Sequence, residues 1–209
     1  TYEPVERIDR DGNGFVLTTR PAGGEQQCRA DHLVLAVGGT ARPRTLNIPG
    51  EDLPHVDHRF DDPHRYFGRR VLVVGGRNSA VEAAIRCWHA GAQVAISYRR
   101  DAFPDSVKYW LLPEINMLIE SGRVEGHLRT VPTAITPTHV TLTPADGGEP
   151  YEVAADFVLM AIGFEADMSL AESLGVELVG PERAPRHDEQ TMQANIPGVY
   201  VAGTCVAGT

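Results

Sequence analysis

The stretch Val71-Leu72-Val73-Val74-Gly75-Gly76-Arg77-Asn78-Ser79-Ala80 decides the fold. Its four apolar, mostly β-branched residues show no polar alternation, which suits a strand buried on both faces of a parallel sheet. Gly75 and Gly76 then permit a tight turn and a close approach of a ligand to the backbone. Beyond Ser79, Val81, Ala84, Ile85 and Trp88 recur at helical spacing. One face of that helix packs on the sheet, and its N-terminus offers free N–H groups to a pyrophosphate. Gly91 closes the helix, and Gln93–Tyr98 reads as the next strand.

Strand, glycine loop, helix and strand in this order predict an α/β, Rossmann-like, three-layer unit that binds NAD(P). The full fingerprint is G-x-G-x-x-G/A. Gly75 and Ala80 fill its first and third places, and Arg77 stands where the second glycine is expected. Two readings of Arg77 stay open: it lies over the pyrophosphate and supplies charge, or it is solvated. The plainer reading of the whole stretch is a glycine turn in some other α/β protein. The ordered context argues against it.

The end of the second strand chooses the nicotinamide cofactor, because an acid there suits a ribose 2′-OH and arginine suits a 2′-phosphate. This chain has Tyr98-Arg99-Arg100-Asp101, with Arg99 lying 24 residues beyond Gly75. Adjacent guanidiniums make forked, charge-assisted hydrogen bonds to a phosphate, and Tyr98 or an arginine plane could cover the adenine. NADPH is therefore expected over NADH. The competing reading is that the arginines only pair with Asp101 and Asp105 on the surface.

Composition narrows the classes further. With 209 residues, 42% hydrophobic and 22% charged, the chain reads as globular, with one or two domains. A net charge of −9 argues against nonspecific binding of nucleic acid or an anionic membrane. No apolar run approaches the roughly 20 residues that span a bilayer, and no signal peptide is visible. Cys28, Cys87 and Cys205 are far apart and form no C-x-x-C or zinc pattern, which makes a reducing cytoplasm the default expectation. The opening Thr1-Tyr2-Glu3-Pro4 has no initiator methionine, so a piece of a longer protein is expected.

Along the chain, residues 5–8 and Gly14–Thr19 read as a hairpin around Asp9-Arg10-Asp11-Gly12-Asn13. The apolar strand 33–37 runs into Gly38-Gly39-Thr40-Ala41-Arg42-Pro43, followed by Ile48-Pro49-Gly50-Glu51. After the glycine unit, 111–121 reads as a helix with Pro113 in its first turn. Residues 124–130, 134–135 and 140–143 read as a strand and hairpin that cover one side of the sheet. A β-meander, then A-x-G-G/S-x-x-P, I-P-G-E and a dinucleotide unit resembles the flavin-dependent pyridine nucleotide-disulfide oxidoreductases of the thioredoxin-reductase type. Two later stretches match as well: Asp156-Phe157-Val158-Leu159-Met160-Ala161-Ile162-Gly163 and Ile196-Pro197-Gly198-Val199-Tyr200-Val201-Ala202-Gly203.

The resemblance implies an NADPH-binding domain inserted in a partial FAD-binding domain, with residues 1–54 and 164–209 on the FAD side and 55–163 between them. It implies NADPH contacts at Gly75, Gly76, Arg77, Asn78, Ser79, Ala80, Tyr98, Arg99, Arg100, Ile162 and Gly163. On the FAD side it implies Gly38, Gly39, Gly203 and Thr204. The activity implied is hydride transfer from NADPH to FAD and on to a disulfide or another acceptor, including a low-molecular-weight disulfide. A homodimer is compatible with it.

Departures from the family pattern qualify this. The C-x-x-C that thioredoxin reductases carry before the glycine loop has no counterpart in 55–70, so reduction of thioredoxin by this segment is not expected. His64-Arg65-Tyr66-Phe67 and Val107-Lys108-Tyr109-Trp110-Leu111-Leu112-Pro113-Glu114 look more like the bacillithiol-disulfide-reductase-like branch. Thr204 stands where the family has a flavin-facing aspartate, with Cys205 after it as either a structural or a redox thiol. A third arginine of some relatives is missing from 102–105, where Lys108 is a candidate substitute. The βαβ unit that binds the ADP part of FAD is not among the motifs, so the chain alone is expected neither to hold flavin nor to turn over. His55, Asp57, His58, Asp61, Asp62 and His64 fit no closed zinc site, and no metal is expected. The rival classes are a flavin monooxygenase and a non-catalytic NADPH-binding module.

Overall fold

A computed structural model of the chain describes residues 3–208. In chain order the elements are β1 (Val5–Asp11), β2 (Gly14–Thr19), β3 (Gln26–Ala30), β4 (Leu33–Leu35), β5 (Arg42–Pro43), β6 (Val56–Asp57), β7 (Arg70–Val74), α1 (Asn78–His89), β8 (Gln93–Tyr98), α2 (Leu111–Glu120), β9 (Val124–Leu128), β10 (Thr130–Ile135), β11 (His139–Pro144), β12 (Tyr151–Ala154), β13 (Phe157–Met160), β14 (Phe164–Glu165), α3 (Ser169–Ser173), β15 (Leu178–Val179), β16 (Ala184–Pro185) and β17 (Val199–Val201). They divide into two compact units, Thr1–Arg42 with Phe164–Thr209, and Pro43–Gly163.

In the first unit β1, β2 and β3 form an antiparallel meander. Strand β1 runs on to Asp11, so the turn is tighter than the five-residue stretch the sequence suggests, with Gly12 at φ 61°. Strands β4 and β17 pair in parallel, Leu33 with Val199 and Leu35 with Val201. Ile8, Phe15, Leu33, Leu35, Val199, Val201 and Cys205 fill one core.

The second unit is built on a five-stranded parallel sheet, ordered β6-β13-β7-β8-β9. Its middle strand explains the missing polar alternation. Val71 and Val73 join the core under the helices, with Val81, Ala84 and Ile85 of α1 and Ile115 and Leu118 of α2. Leu72 and Val74 face the opposite way, onto Val140, Leu142 and Val153 of a second, antiparallel sheet ordered β10-β11-β12. Helices, parallel sheet and covering sheet are the three layers. Burying each such valine or leucine contributes about 1.5–3 kcal/mol, so a polar residue at either face would be costly. The sheet is pinned at its start by Asp156, which accepts the Arg70 N–H at 2.9 Å and its guanidinium at 2.6 Å. Those bonds hold the Asp156 carboxyl well below the usual range, at about 2.

Two expectations change. Residues 124–130 do not cover the sheet: β9 is its fifth strand, with Leu128 beside Tyr98. The reason lies in the pairing, since β9 runs parallel to β8 from Val124 beside Val94 to Leu128 beside Tyr98, and Arg129 turns the chain away before the covering hairpin begins. The cover is β10 and β11 with Tyr151–Ala154 as a third strand. Residues 43–54, grouped by sequence with the flanking segment, belong to the second unit. Glu51, only 8% exposed, accepts the N–H of Leu46 and Ile48. Ile135 N–H donates to Pro49 O at 2.8 Å. A Cβ at Gly50 would collide with the Ile135 carbonyl oxygen, which fits the glycine of I-P-G-E.

Candidate functional site

In the second unit the loops after β7, β8, β9 and β13 leave the same edge of the sheet, because all four strands run parallel. The chain passes from β7 outward to β8 and returns on the other side as β13. A crevice between the ends of β7 and β13 is therefore the switch point at which open α/β sheets bind ligands.

Gly75 sits there at φ 135°, and a Cβ on it would run into the Ala161 carbonyl oxygen. The loop can make this approach only with glycine. Ala80, fully buried, would lie 3.0 Å from the same Cβ, so the third place of the fingerprint needs a small residue for the helix to reach the strand. Arg77 is the residue before α1, extended at φ −100°, with no side-chain cap. The first helical bond runs from Val81 N–H to Arg77 O at 3.0 Å. The N–H groups of Asn78, Ser79 and Ala80 therefore have no carbonyl one turn back, and with α1 behind them they favour an anion. The loop fits a pyrophosphate. Ile162 is half-buried against the covering-sheet core, and Gly163 turns at φ 104° with its carbonyl accepting Arg44 N–H at 3.0 Å.

Arg77, Arg99 and Arg100 are exposed. Among the described residues none of the three makes an ion pair, so the reading that Arg99 and Arg100 merely pair with Asp101 and Asp105 does not hold. Two other expectations are corrected. Tyr98, offered as cover for an adenine, is only 8% exposed and stacks on Phe103 at 5.7 Å and 13°. A Cβ at Gly76 would run into its ring, so Tyr98 props the glycine turn from below. Asn78 does not turn its side chain to a ligand: its amide donates to Ser106 O at 3.2 Å and its carbonyl accepts Lys108 N–H at 2.8 Å. Only its backbone N–H remains for an anion. Lys108 is committed too, its Nζ 3.4 Å from Glu82 and 5.6 Å from the Trp110 ring centre. The clamp formed by Asn78 was not legible, since it joins residues about thirty positions apart.

In the first unit, Gly38 at φ 76° comes shortly after the end of β4 and Gly203 at φ 77° shortly after the end of β17. A Cβ on Gly39 would sit 3.5 Å from Thr204 Oγ1, so Gly38, Gly39, Gly203 and Thr204 meet at one strand end. Such adjacent glycine turns leave backbone open to a ligand and are compatible with a flavin edge. Cys205 is 1% exposed, and its thiol donates toward Leu35 O at 3.3 Å and Ala202 O at 3.1 Å. It is held as a structural thiol. Burial pushes the Cys87 thiol up to about 12, and Cys28 lies exposed on β3. The linker acids and histidines are dispersed on separate tasks. Asp57 binds Arg65 and Tyr66, Asp62 caps a short turn at His64, and His55 reaches Thr136 O.

A parallel sheet layered between helices and a second sheet, with a glycine loop at its switch point, defines an α/β fold of the dinucleotide-binding type. The model of the pyridine nucleotide-disulphide oxidoreductase family matches residues 1–203, and the chain belongs to that family. It is 33% identical over 196 residues to bacilliredoxin reductase Bdr of Bacillus subtilis (strain 168), covering 94% of this chain and 59% of that protein. It is 34% identical over 207 residues to a ferredoxin–NADP reductase of Ignicoccus hospitalis, covering 96% of this chain and 64% of that protein. The structure of bacillithiol disulfide reductase Bdr (YpdA) from Bacillus cereus superposes with a TM-score of 0.93 at 33% identity, covering all of this chain and 64% of that one. Thioredoxin reductase of T. acidophilum, at 22% identity and a TM-score of 0.83, shares the fold. The chain thus spans about 60% of the length of these relatives. No helix among the described residues is long and apolar enough to cross a membrane.

Proposed function

We propose that the chain is the NADPH-binding portion of a flavoprotein oxidoreductase, with residues 43–163 as the NADPH domain and the first unit as part of the FAD domain. The carrying observation is the meeting, at one sheet edge, of a loop that admits only glycine at Gly75 and two arginines with no acidic partner among the described residues. When bound, NADPH supplies a hydride and FAD accepts it, and reduced flavin passes electrons to a disulfide or another acceptor. The residues of this chain position rather than react. The N–H groups of Asn78, Ser79 and Ala80, with Arg77 beside them, hold the pyrophosphate. Arg99 and Arg100 take the 2′-phosphate, and Ile162 and Gly163 border the nicotinamide side of the crevice. Gly38, Gly39, Gly203 and Thr204 offer backbone to the flavin.

Turnover by this chain alone is not part of the proposal. Its three cysteines occupy unconnected places and two are buried, so they make no dithiol able to exchange with a disulfide. The low-molecular-weight disulfide named for the Bdr relatives is the acceptor class we favour for the whole enzyme, working in a reducing cytoplasm. Titration calorimetry with NADPH and NADH tests the reading. NADPH should bind more tightly, and Arg99→Ala or Arg100→Ala should remove about 1–3 kcal/mol of that preference, the range of charge-assisted hydrogen bonds. Equal affinity for the two nucleotides would sink it.

A further inference from the structure

We propose that Arg129 supplies a third guanidinium to the 2′-phosphate end of this site, exchanging Asp146 for the phosphate when the nucleotide binds. The inference rests on the reading that the site takes NADPH. Three observations carry it. First, Arg129 follows β9, whose last residue Leu128 lies beside Tyr98, and its N–H donates to Arg100 O at 3.0 Å. Its backbone is thus fastened to that of the arginine pair, at the same sheet edge as the phosphate loop. Second, Arg129 is the single residue joining β9 of the parallel sheet to β10 of the covering sheet, and it makes that corner at φ 58°. Glycine adopts this left-handed conformation without strain, so an arginine here carries a conformational cost that its side chain must justify. Third, its guanidinium lies 3.4 Å from Asp146, with both side chains more than half exposed. An exposed pair of this kind holds its partners weakly.

The exchange is favourable on charge. A 2′-phosphate carries up to two negative charges and three acceptor oxygens, which a planar guanidinium grips by two hydrogen bonds. Of the other cations, Arg77 stands at the β7 end of the sheet, on the pyrophosphate, and Lys108 offers a point charge where a guanidinium makes a forked grip. Arg129 also lies outside the segment in which sequence comparison looks for that cation, since it comes from the next strand.

The test is titration calorimetry of the 209-residue chain with NADPH and NADH, alongside thermal unfolding, for the parent and for Arg129→Gly, Asp146→Asn and Arg99→Ala. Glycine suits the corner, so Arg129→Gly should unfold at the same temperature or higher. It should lower the preference for NADPH about tenfold, the effect of one charge-assisted hydrogen bond, and leave NADH affinity unchanged. Asp146→Asn frees the guanidinium and should strengthen NADPH binding. If Arg129→Gly keeps the parental preference while Arg99→Ala loses it, the inference is overturned and the NADPH site stands. If the parent shows no preference, or binds neither nucleotide, the NADPH reading falls and the inference with it.

Discussion

At the scale of single residues, the three cysteines separate redox chemistry from packing. A thiol reacts as its thiolate and only where reagent can reach it. Cys87 lies fully buried in α1, and burial pushes its thiol up to about 12, so it stays protonated and out of reach of reagent. Cys205 is sealed at the end of β17 with its hydrogen spent on backbone carbonyls. Cys28 stands in the open on β3. In the native chain a disulfide reagent such as DTNB should therefore titrate one thiol rapidly, and all three only after denaturation. Substituting Cys28→Ser should abolish the fast phase. A second fast thiol at Cys205 would revive its redox reading and would mean that the β4–β17 end opens readily.

At the scale of elements, the support beneath the glycine turn at Gly75 and Gly76 is an aromatic stack. Tyr98 at the end of β8 lies under Gly76, and Phe103, 7% exposed, lies against Tyr98. Removing Phe103 leaves a cavity beside the glycine turn and frees the segment whose far end Asn78 clamps. Phe103→Ala should cost about 3–5 kcal/mol in denaturant unfolding and should weaken NADPH and NADH alike. A selective loss for NADPH would point instead to displaced arginines. How legible this was differs by element. Strand β7, α1 and β8 could be read because a continuous apolar run, a glycine break and helical spacing each report local structure. Strand β9 was misassigned, since five residues with one buried face suit either an edge strand or a hairpin arm until their neighbour is known. That Arg99 and Arg100 follow the end of β8, exposed, was legible from their distance to Gly75. The clamp of Asn78, the prop of Tyr98 and the corner at Arg129 were not, because each depends on a partner brought near only by the finished sheet.

At the scale of the molecule, two units with separate hydrophobic cores share one chain that leaves the first at Arg42 and re-enters it at Phe164. Each crossing strand is tied within its own unit, Ala41 N–H to Glu165 O on one side and Arg44 N–H to Gly163 O on the other, both at 3.0 Å. Separate cores make a single cooperative transition unnecessary, and a ligand held by one unit stabilises that unit alone. Both tryptophans, Trp88 and Trp110, fall in residues 43–163, so their fluorescence follows the unit with the glycine loop. Circular dichroism follows both. Heating should give a tryptophan transition that NADPH raises, by about 2.7 kcal/mol of stability at one hundred times its dissociation constant, and a further transition that NADPH leaves in place. If NADPH moves the two together, the units unfold as one and the binding energy of the crevice is shared across the chain. If it moves neither, the glycine loop does not hold the nucleotide in this chain.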